Sequence, residues 1–589
     1  MIPGRYVLCI AFALAAVVFA VPENDTSTAH LRPLDVEILH SLYRISTPVV
    51  SPNFMQALYV TSRYDPETNR SFSMLTMLDT TNGTAVQLTP EMEGERISNP
   101  LWLSQDVAGY LLKGALYRHD LSPGTNGTLL YNTTTNINNA AYRIDATMLF
   151  FTADVFADGD IGRVSEHIEV EKKRADSAQV FDNLWARHWD KWMTSRKANL
   201  FTVTLNGTST SNSQHPVREI NLMQQLDAFE DPLLRWEVEG YAASSNGKHV
   251  AFVVRNPGLD MAWSTNVDIY IVSTDGNSKP KLLTGNFKGA AGGPAFSADG
   301  TALAWLQMET PGYEADARHI HIFNITTGDV REVAYDWELS PHFLVWSEDG
   351  NELYALAHEH AETRVFKIDI VSGARAKLGV PGCVSSIARL GGDRLLAVYS
   401  NTTQSADIYT INVADAQLPM QRLTDVNGDK LRDVYLGDTE DFWFTGARGD
   451  FVHGWMIRPY GFVATQKYPA ALLMHGGPQQ ASAHAFSHGQ WNPNMYASAG
   501  FVTIQVNFHG SPGYGQNFTD SVRQQWGGYA YDDLMAGLDY VIKNYDFVDS
   551  KRLVALGGSF GGYMANWING NTDRFSALVS HDGQFDVVS

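Results

Sequence analysis

The stretch Arg552-Leu-Val-Ala-Leu-Gly-Gly-Ser-Phe-Gly-Gly-Tyr-Met-Ala-Asn-Trp-Ile-Asn-Gly570 decides how this chain is read. Leu553 to Leu556 form a short apolar run suited to a buried parallel strand, and Met564 to Ile568 continue at helical spacing after the glycines. Ser559 therefore stands between a strand and a helix. In Gly557-x-Ser559-x-Gly561 the flanking positions need hydrogen side chains, because a turn sharp enough to lift the hydroxyl clear of the backbone crowds its neighbours. The helix that follows points its free N–H groups back at the serine, where they stabilise developing negative charge. Ser559 is thus the candidate nucleophile.

With Gly at 49 of 589 positions, chance alone supplies roughly 0.3 copies of the bare motif, so context has to carry the reading. Upstream, the apolar run Leu472-Leu473-Met474 enters His475-Gly476-Gly477-Pro478, and Val502 to Asn507 enters Gly510-Ser511-Pro512-Gly513-Tyr514-Gly515. Three strand-to-loop units in this order predict an α/β-hydrolase, with the glycine loop completing an oxyanion hole.

His475-Gly-Gly-Pro, Asn507-x-x-Gly-Ser-x-Gly-Tyr-Gly515, Trp526-Gly-Gly and Gly557-Gly-Ser-Phe-Gly-Gly-Tyr-Met564 together resemble the prolyl oligopeptidase family, closest to its acylaminoacyl-peptidase branch. The segment Val180-Phe181-Asp182 through Arg187-His188-Trp189-Asp190 is also similar to part of that group's propeller. The resemblance implies a secreted serine exopeptidase that takes short peptides and releases dipeptides from their N-termini through an acyl-enzyme at Ser559. The N–H groups of Gly477 and Phe560 would form the oxyanion hole, and no metal or organic cofactor is implied. His475 and His509 would hold loops, because the catalytic histidine of this fold follows the last strands. Two alternatives are an acylaminoacyl-peptidase, which prefers a blocked N-terminus, and a non-catalytic propeller that binds peptides.

The triad of this fold runs Ser, then Asp or Glu, then His. After Ser559 come Asp573, His581, Asp582 and Asp586. His581 and Asp582 are adjacent, and strand alternation would send their side chains to opposite faces. The acid and base are therefore expected to lie outside this sequence, which reads as C-terminally truncated and, as given, inactive.

At the other end, Met1 to Ala20 reads as a secretory signal: Arg5 supplies the charge, Tyr6 to Phe19 the apolar core, and Val18-Phe19-Ala20 the cleavage site. Nine Asn-x-Ser/Thr sequons, at Asn24, Asn69, Asn82, Asn126, Asn132, Asn206, Asn324, Asn401 and Asn517, fit a glycosylated extracellular chain. Of two cysteines, Cys9 leaves with the signal and Cys383 remains alone, so no intrachain disulfide is expected. The net charge of −21 argues against nucleic acid or an anionic membrane as partner.

Between 47 and 448, short β-type runs alternate with turn residues. Tyr241-Ala-Ala-Ser-Ser-Asn-Gly247, Pro294-Ala-Phe-Ser-Ala-Asp-Gly300 and Val345-Trp-Ser-Glu-Asp-Gly350 each precede an apolar strand, and Pro100-Leu-Trp-Leu-Ser104 is a weaker variation. Their spacing of about 50 residues is that of a four-stranded propeller blade. The expected architecture is an N-terminal β-propeller of about seven blades over 47–448 and an incomplete α/β-hydrolase over 449–589. Residues 21–46 form a segment packing on the hydrolase. The acidic stretch from Val164 breaks the blade rhythm. Ile168 and Val170 alternate with acids there, which predicts a half-exposed strand, and Glu166 to Glu171 are candidates for holding a substrate ammonium.

Overall fold

The computed structural model describes residues 31–586 except 123, 179–180, 182–185, 189, 206–217, 227–236, 256–260 and 416–419. Asn24, Asn206, the signal segment and much of the Val180–Asp190 stretch thus fall outside the described residues.

From Gln56 to Arg422 the chain forms successive antiparallel sheets, each built from hairpins in chain order. Their first strands neighbour one another around a ring, and Leu390, Leu396 and Val398 of the last sheet pack with Ala57, Tyr59 and Leu78 of the first. The repeat seen in the sequence has one physical device. Ser244, Ser297 and Ser347 each donate to the Asn246, Asp299 or Asp349 side chain and accept from a backbone N–H five residues on. Gly247, Gly300 and Gly350 close the turns at φ +67, +71 and +73, which is why glycine recurs there. A further copy at Ser51 and Asn53 escapes sequence reading because Phe54 takes the left-handed position, at φ +63.

The stretch Val164–Lys172 is an α-helix, not the expected strand. Ile161 and Val164 are buried and Ile168 packs beside them, a spacing of three and four residues that outweighs the local alternation of Ile168 and Val170. Its acids pair locally: Glu166 with Arg163, Glu169 with Lys172, and Glu171 with Ser195.

The hydrolase sheet comprises β1 (Thr439–Thr445), β2 (Phe451–Ile457), β3 (Tyr468–Met474), β4 (Val502–Asn507), β5 (Val548–Gly558) and β6 (Ala577–His581), in the order β1-β2-β4-β3-β5-β6. The boundary expected at 448/449 therefore cuts a hairpin, since β1 pairs with β2 in the hydrolase sheet. Its alternation, with Phe442 and Phe444 buried, looks like one more propeller strand in sequence. Strands β3, β4, β5 and β6 run parallel, and their apolar residues pack against the helices Tyr529–Asn544 and Phe560–Asn571. The short helix Val36–Ser41, capped by Asp35, packs Leu34, Leu39 and Leu42 against Phe486 and Met495 of the hydrolase.

Candidate active site

Strand β5 ends at Gly558 and the helix begins at Phe560, which leaves Ser559 at φ +54 and ψ −117 between them. A side chain on Gly557 would meet the Gly561 backbone at 2.5 Å, and one on Gly561 would meet the Met474 carbonyl oxygen at 2.1 Å. The glycines are thus demanded by the elbow, as the motif implied. Ser559 itself is exposed to a cavity of about 480 Å³ lined also by Gly476, Gln480, Trp491, His581 and Asp582.

Register brings the glycine loop to the nucleophile, because Met474 at the end of β3 lies opposite Gly557 of β5. A Cβ on Gly476 would stand 3.5 Å from Ser559 Cβ, and Gly477 at φ +113 has no room for one beside the backbone of Gln479. The N–H groups of Gly477 and Phe560 donate no hydrogen bond among the described residues, so both are free to meet an oxyanion.

The two loop histidines are occupied elsewhere. His475 stacks on Phe508 at 4.1 Å, with Nδ1 2.8 Å from the Gly476 carbonyl and Nε2 3.1 Å from Ser511 Oγ; burial pushes its pKa down to about 4. His509 is fully buried between Asp533 Oδ2 at 2.7 Å and Asp450 Oδ2 at 3.1 Å. Burial works against its charge, yet hydrogen bonding to the two carboxylates outweighs it and raises the pKa.

The expectation that His581 and Asp582 face apart fails. Strand alternation stops at His581, and Asp582, at φ +40, turns its carboxylate back to within 3.7 Å of His581 Nδ1. Both line the Ser559 cavity, but the Asp582 carboxylate accepts from the Ser559 backbone N–H at 3.0 Å. Ser559 Oγ makes no hydrogen bond among the described residues.

Sequence reasoning missed Glu362. It stands where the propeller meets the hydrolase, its carboxylate 2.8 Å from Arg364 and 3.5 Å from His484 Nδ1, while the His484 N–H donates to the Ala361 carbonyl. Burial opposes its charge, but His484 and Arg364 beside it prevail and hold the carboxyl below its usual range.

A ring of sheets joined to a parallel sheet with a serine elbow defines a propeller-bearing α/β-hydrolase. The sequence profile of the prolyl oligopeptidase family matches residues 486–589. The dipeptidyl-peptidase 5 of Schizosaccharomyces pombe is 31% identical over 493 residues, covering 80% of this chain and 69% of that protein. The probable dipeptidyl-peptidase 5 of Aspergillus clavatus is 31% identical over 583 residues, 93% of this chain and 79% of the relative. The chain belongs to the prolyl oligopeptidase family. In fold it is similar to the acylaminoacyl peptidase of Pyrococcus horikoshii, with a TM-score of 0.71 at 16% identity over 93% of this chain and 78% of the other. The puromycin-hydrolyzing peptidase of Mycobacterium tuberculosis aligns with a TM-score of 0.65 at 17% identity, over 95% and 80%.

Proposed function

We propose that Ser559 is the nucleophile of a serine dipeptidyl-peptidase that acts on short peptides through an acyl-enzyme. The observation that carries this is the elbow: an exposed hydroxyl in a left-handed turn, beside two unused backbone N–H groups on the Gly477 loop and the helix start. Attack by Ser559 Oγ on a carbonyl puts negative charge on its oxygen, and the N–H groups of Phe560 and Gly477 stabilise it. One such donor is worth about 10²–10³ in rate. The dipeptidyl-peptidase 5 relatives support this choice of product. Holding the substrate ammonium in a pocket calls for a carboxylate, and we assign that role to Glu362 rather than to the expected Glu166 to Glu171, since Glu362 stands half-buried against His484 of the hydrolase while Glu166 and Glu169 pair in solvent.

Attack also needs a base on Oγ. With none bonded there among the described residues, the 589-residue chain is proposed to react slowly, and the triad acid and base to be supplied by further sequence of the kind the family carries. We read the sheets up to Arg422 as seven four-stranded blades, with Thr363 pairing to Cys383 where two of them join. Secretion and glycosylation belong to the same proposal. Asn69, Asn82, Asn126, Asn132, Asn324 and Asn517 are exposed, whereas Asn401 is half-buried with its side-chain amide donating to Tyr399.

The test uses a chimera completed with the C-terminal segment of the Aspergillus clavatus relative, on matched peptides with free and acetylated N-termini. Release of dipeptides from the free peptide, lost in Ser559→Ala, is expected. Preference for the acetylated peptide would make the chain an acylaminoacyl-peptidase, and cleavage by Ser559→Ala would remove the serine mechanism.

A further inference from the structure

Arg318, His342 and His358 come from neighbouring propeller sheets and meet at the end that faces the hydrolase. His342 lies in the strand Pro341–Trp346 and His358 in the strand Glu352–Glu359, where Pro341 pairs with Ala357. Their rings stack at 4.9 Å and 21°. Arg318 precedes the strand His319–Asn324 of the adjoining sheet, and its N–H donates to Ser340 Oγ at 3.1 Å, two residues before His342. The hydrolase closes over this cluster: the His360 N–H donates to the Gly513 carbonyl at 3.1 Å, and a Cβ on Gly513 would touch the His358 backbone at 3.1 Å.

The cluster, half-buried, lacks what a cation drawn out of water ordinarily has. The Arg318 guanidinium makes no hydrogen bond or ion pair among the described residues, and burial alone draws its pKa below the ordinary range. His342 Nδ1 is buried without a partner, and burial pushes the His342 pKa down to about 4. Carboxylates are close in sequence but already engaged. Asp316 accepts from the Glu309 and Thr310 N–H groups, Glu359 pairs with Lys377 at 2.6 Å, and Glu362 with Arg364 at 2.8 Å. A guanidinium half withdrawn from water without an anionic partner is costly, and proteins keep such a group where a ligand completes it.

We infer that Arg318, with His342 and His358 beside it, is a binding site for a carboxylate of the peptide substrate. The planar fork of arginine fits a carboxylate with two parallel hydrogen bonds, and a neutral imidazole adds a donor. The 308–318 loop links this site to the hydrolase. Tyr313, in that loop, donates to Asp520 Oδ1 at 2.7 Å, and the Gln516 side-chain amide donates to the Ala315 carbonyl at 2.9 Å. A short peptide lying between propeller and hydrolase would carry its carboxylate, at the C-terminus or on an acidic side chain, to Arg318. The inference rests on the peptidase reading for the identity of the ligand, but not for the existence of the site.

The experiment is titration calorimetry on the 589-residue chain carrying Ser559→Ala. The ligands are pentaalanine, its C-terminal amide, and the amides of Ala-Ala-Glu-Ala-Ala and Ala-Ala-Gln-Ala-Ala. Pentaalanine is expected to bind at least about tenfold more tightly than its amide, as a charge-assisted hydrogen bond allows. In Arg318→Gln the ratio should fall below about twofold, and His342→Phe should lower it while leaving the charge in place. If the Glu peptide is favoured over the Gln peptide instead, the carboxylate comes from a side chain and the site stands. Equal binding of all four peptides, no binding of any, or a preference that survives Arg318→Gln overturns it. Fluorophosphonate labelling of Ser559 in a completed chimera is read separately, so failure of the peptidase reading is distinguishable from failure of this one.

Discussion

Two histidine pairs, one in the hydrolase loops and one at the propeller end that meets them, are held differently, although His484 and His488 of the hydrolase also leave Nδ1 without a partner among the described residues. On the hydrolase side the His475 and His509 rings have both nitrogens engaged, one stacked on Phe508 and the other, its pKa raised, between Asp533 and Asp450. On the propeller side, among the described residues, His342 Nδ1 and the Arg318 guanidinium have no partner. A satisfied buried polar group holds shape, and one left unsatisfied is kept for something that arrives later. Ser559 Oγ, exposed on the hydrolase side, is also without a hydrogen bond among the described residues.

The largest effect expected from this contrast is at the nucleophile. In the completed chimera Ser559→Ala should lower peptide hydrolysis by about 10⁴ to 10⁶, while His581→Ala should leave it unchanged, because the Asp582 carboxylate accepts from the Ser559 backbone N–H and no hydrogen bond joins the His581 ring to Ser559 Oγ among the described residues. A comparable loss in His581→Ala, by steady-state rates, would make the pair a local base after all.

Next in size is the His509 clamp. His509→Leu strands Asp533 without its partner inside the core and should cost about 3–5 kcal/mol in denaturant unfolding. The sign of its pH dependence follows from the raised pKa. The clamp's contribution is full below the unfolded histidine value of about 6.5 and fades as pH rises through the folded value, so the gap between wild type and His509→Leu should narrow in alkali. A gap that widens there would contradict a charged His509.

The smallest effect, and opposite in kind, is at the propeller wall. Arg318→Met removes a half-buried charge that pairs with nothing among the described residues, so thermal unfolding should show no loss beyond about 0.5 kcal/mol. A large loss would assign Arg318 to the scaffold, like His509.

What the sequence disclosed and what it hid follow the same division. The elbow and the glycine loop were legible because sterics restrict them to glycine, as the contacts of Gly557, Gly561 and Gly477 bear out. The sheets between Gln56 and Arg422 were legible from a turn whose hydrogen bonds need Ser, Asn or Asp, and Gly in order. Val164–Lys172 was misread because two alternating apolar residues concealed a helical face anchored further back at Ile161 and Val164. Asp582 was misread because alternation was carried one residue past the strand. Arg318, His342, His358 and Glu362 left no local signal. Their chemistry comes from sheet register and from the hydrolase closing over one end of the propeller, neither of which is written in any single stretch.

The most direct test of the central claim, that Ser559 is a peptidase nucleophile awaiting its base, is fluorophosphonate labelling followed by mass spectrometry of the modified peptide. The completed chimera should label promptly and at Ser559 alone, and the 589-residue chain at least about 10³ more slowly. Prompt labelling of the 589-residue chain, or labelling of the chimera at any residue other than Ser559, would contradict the account.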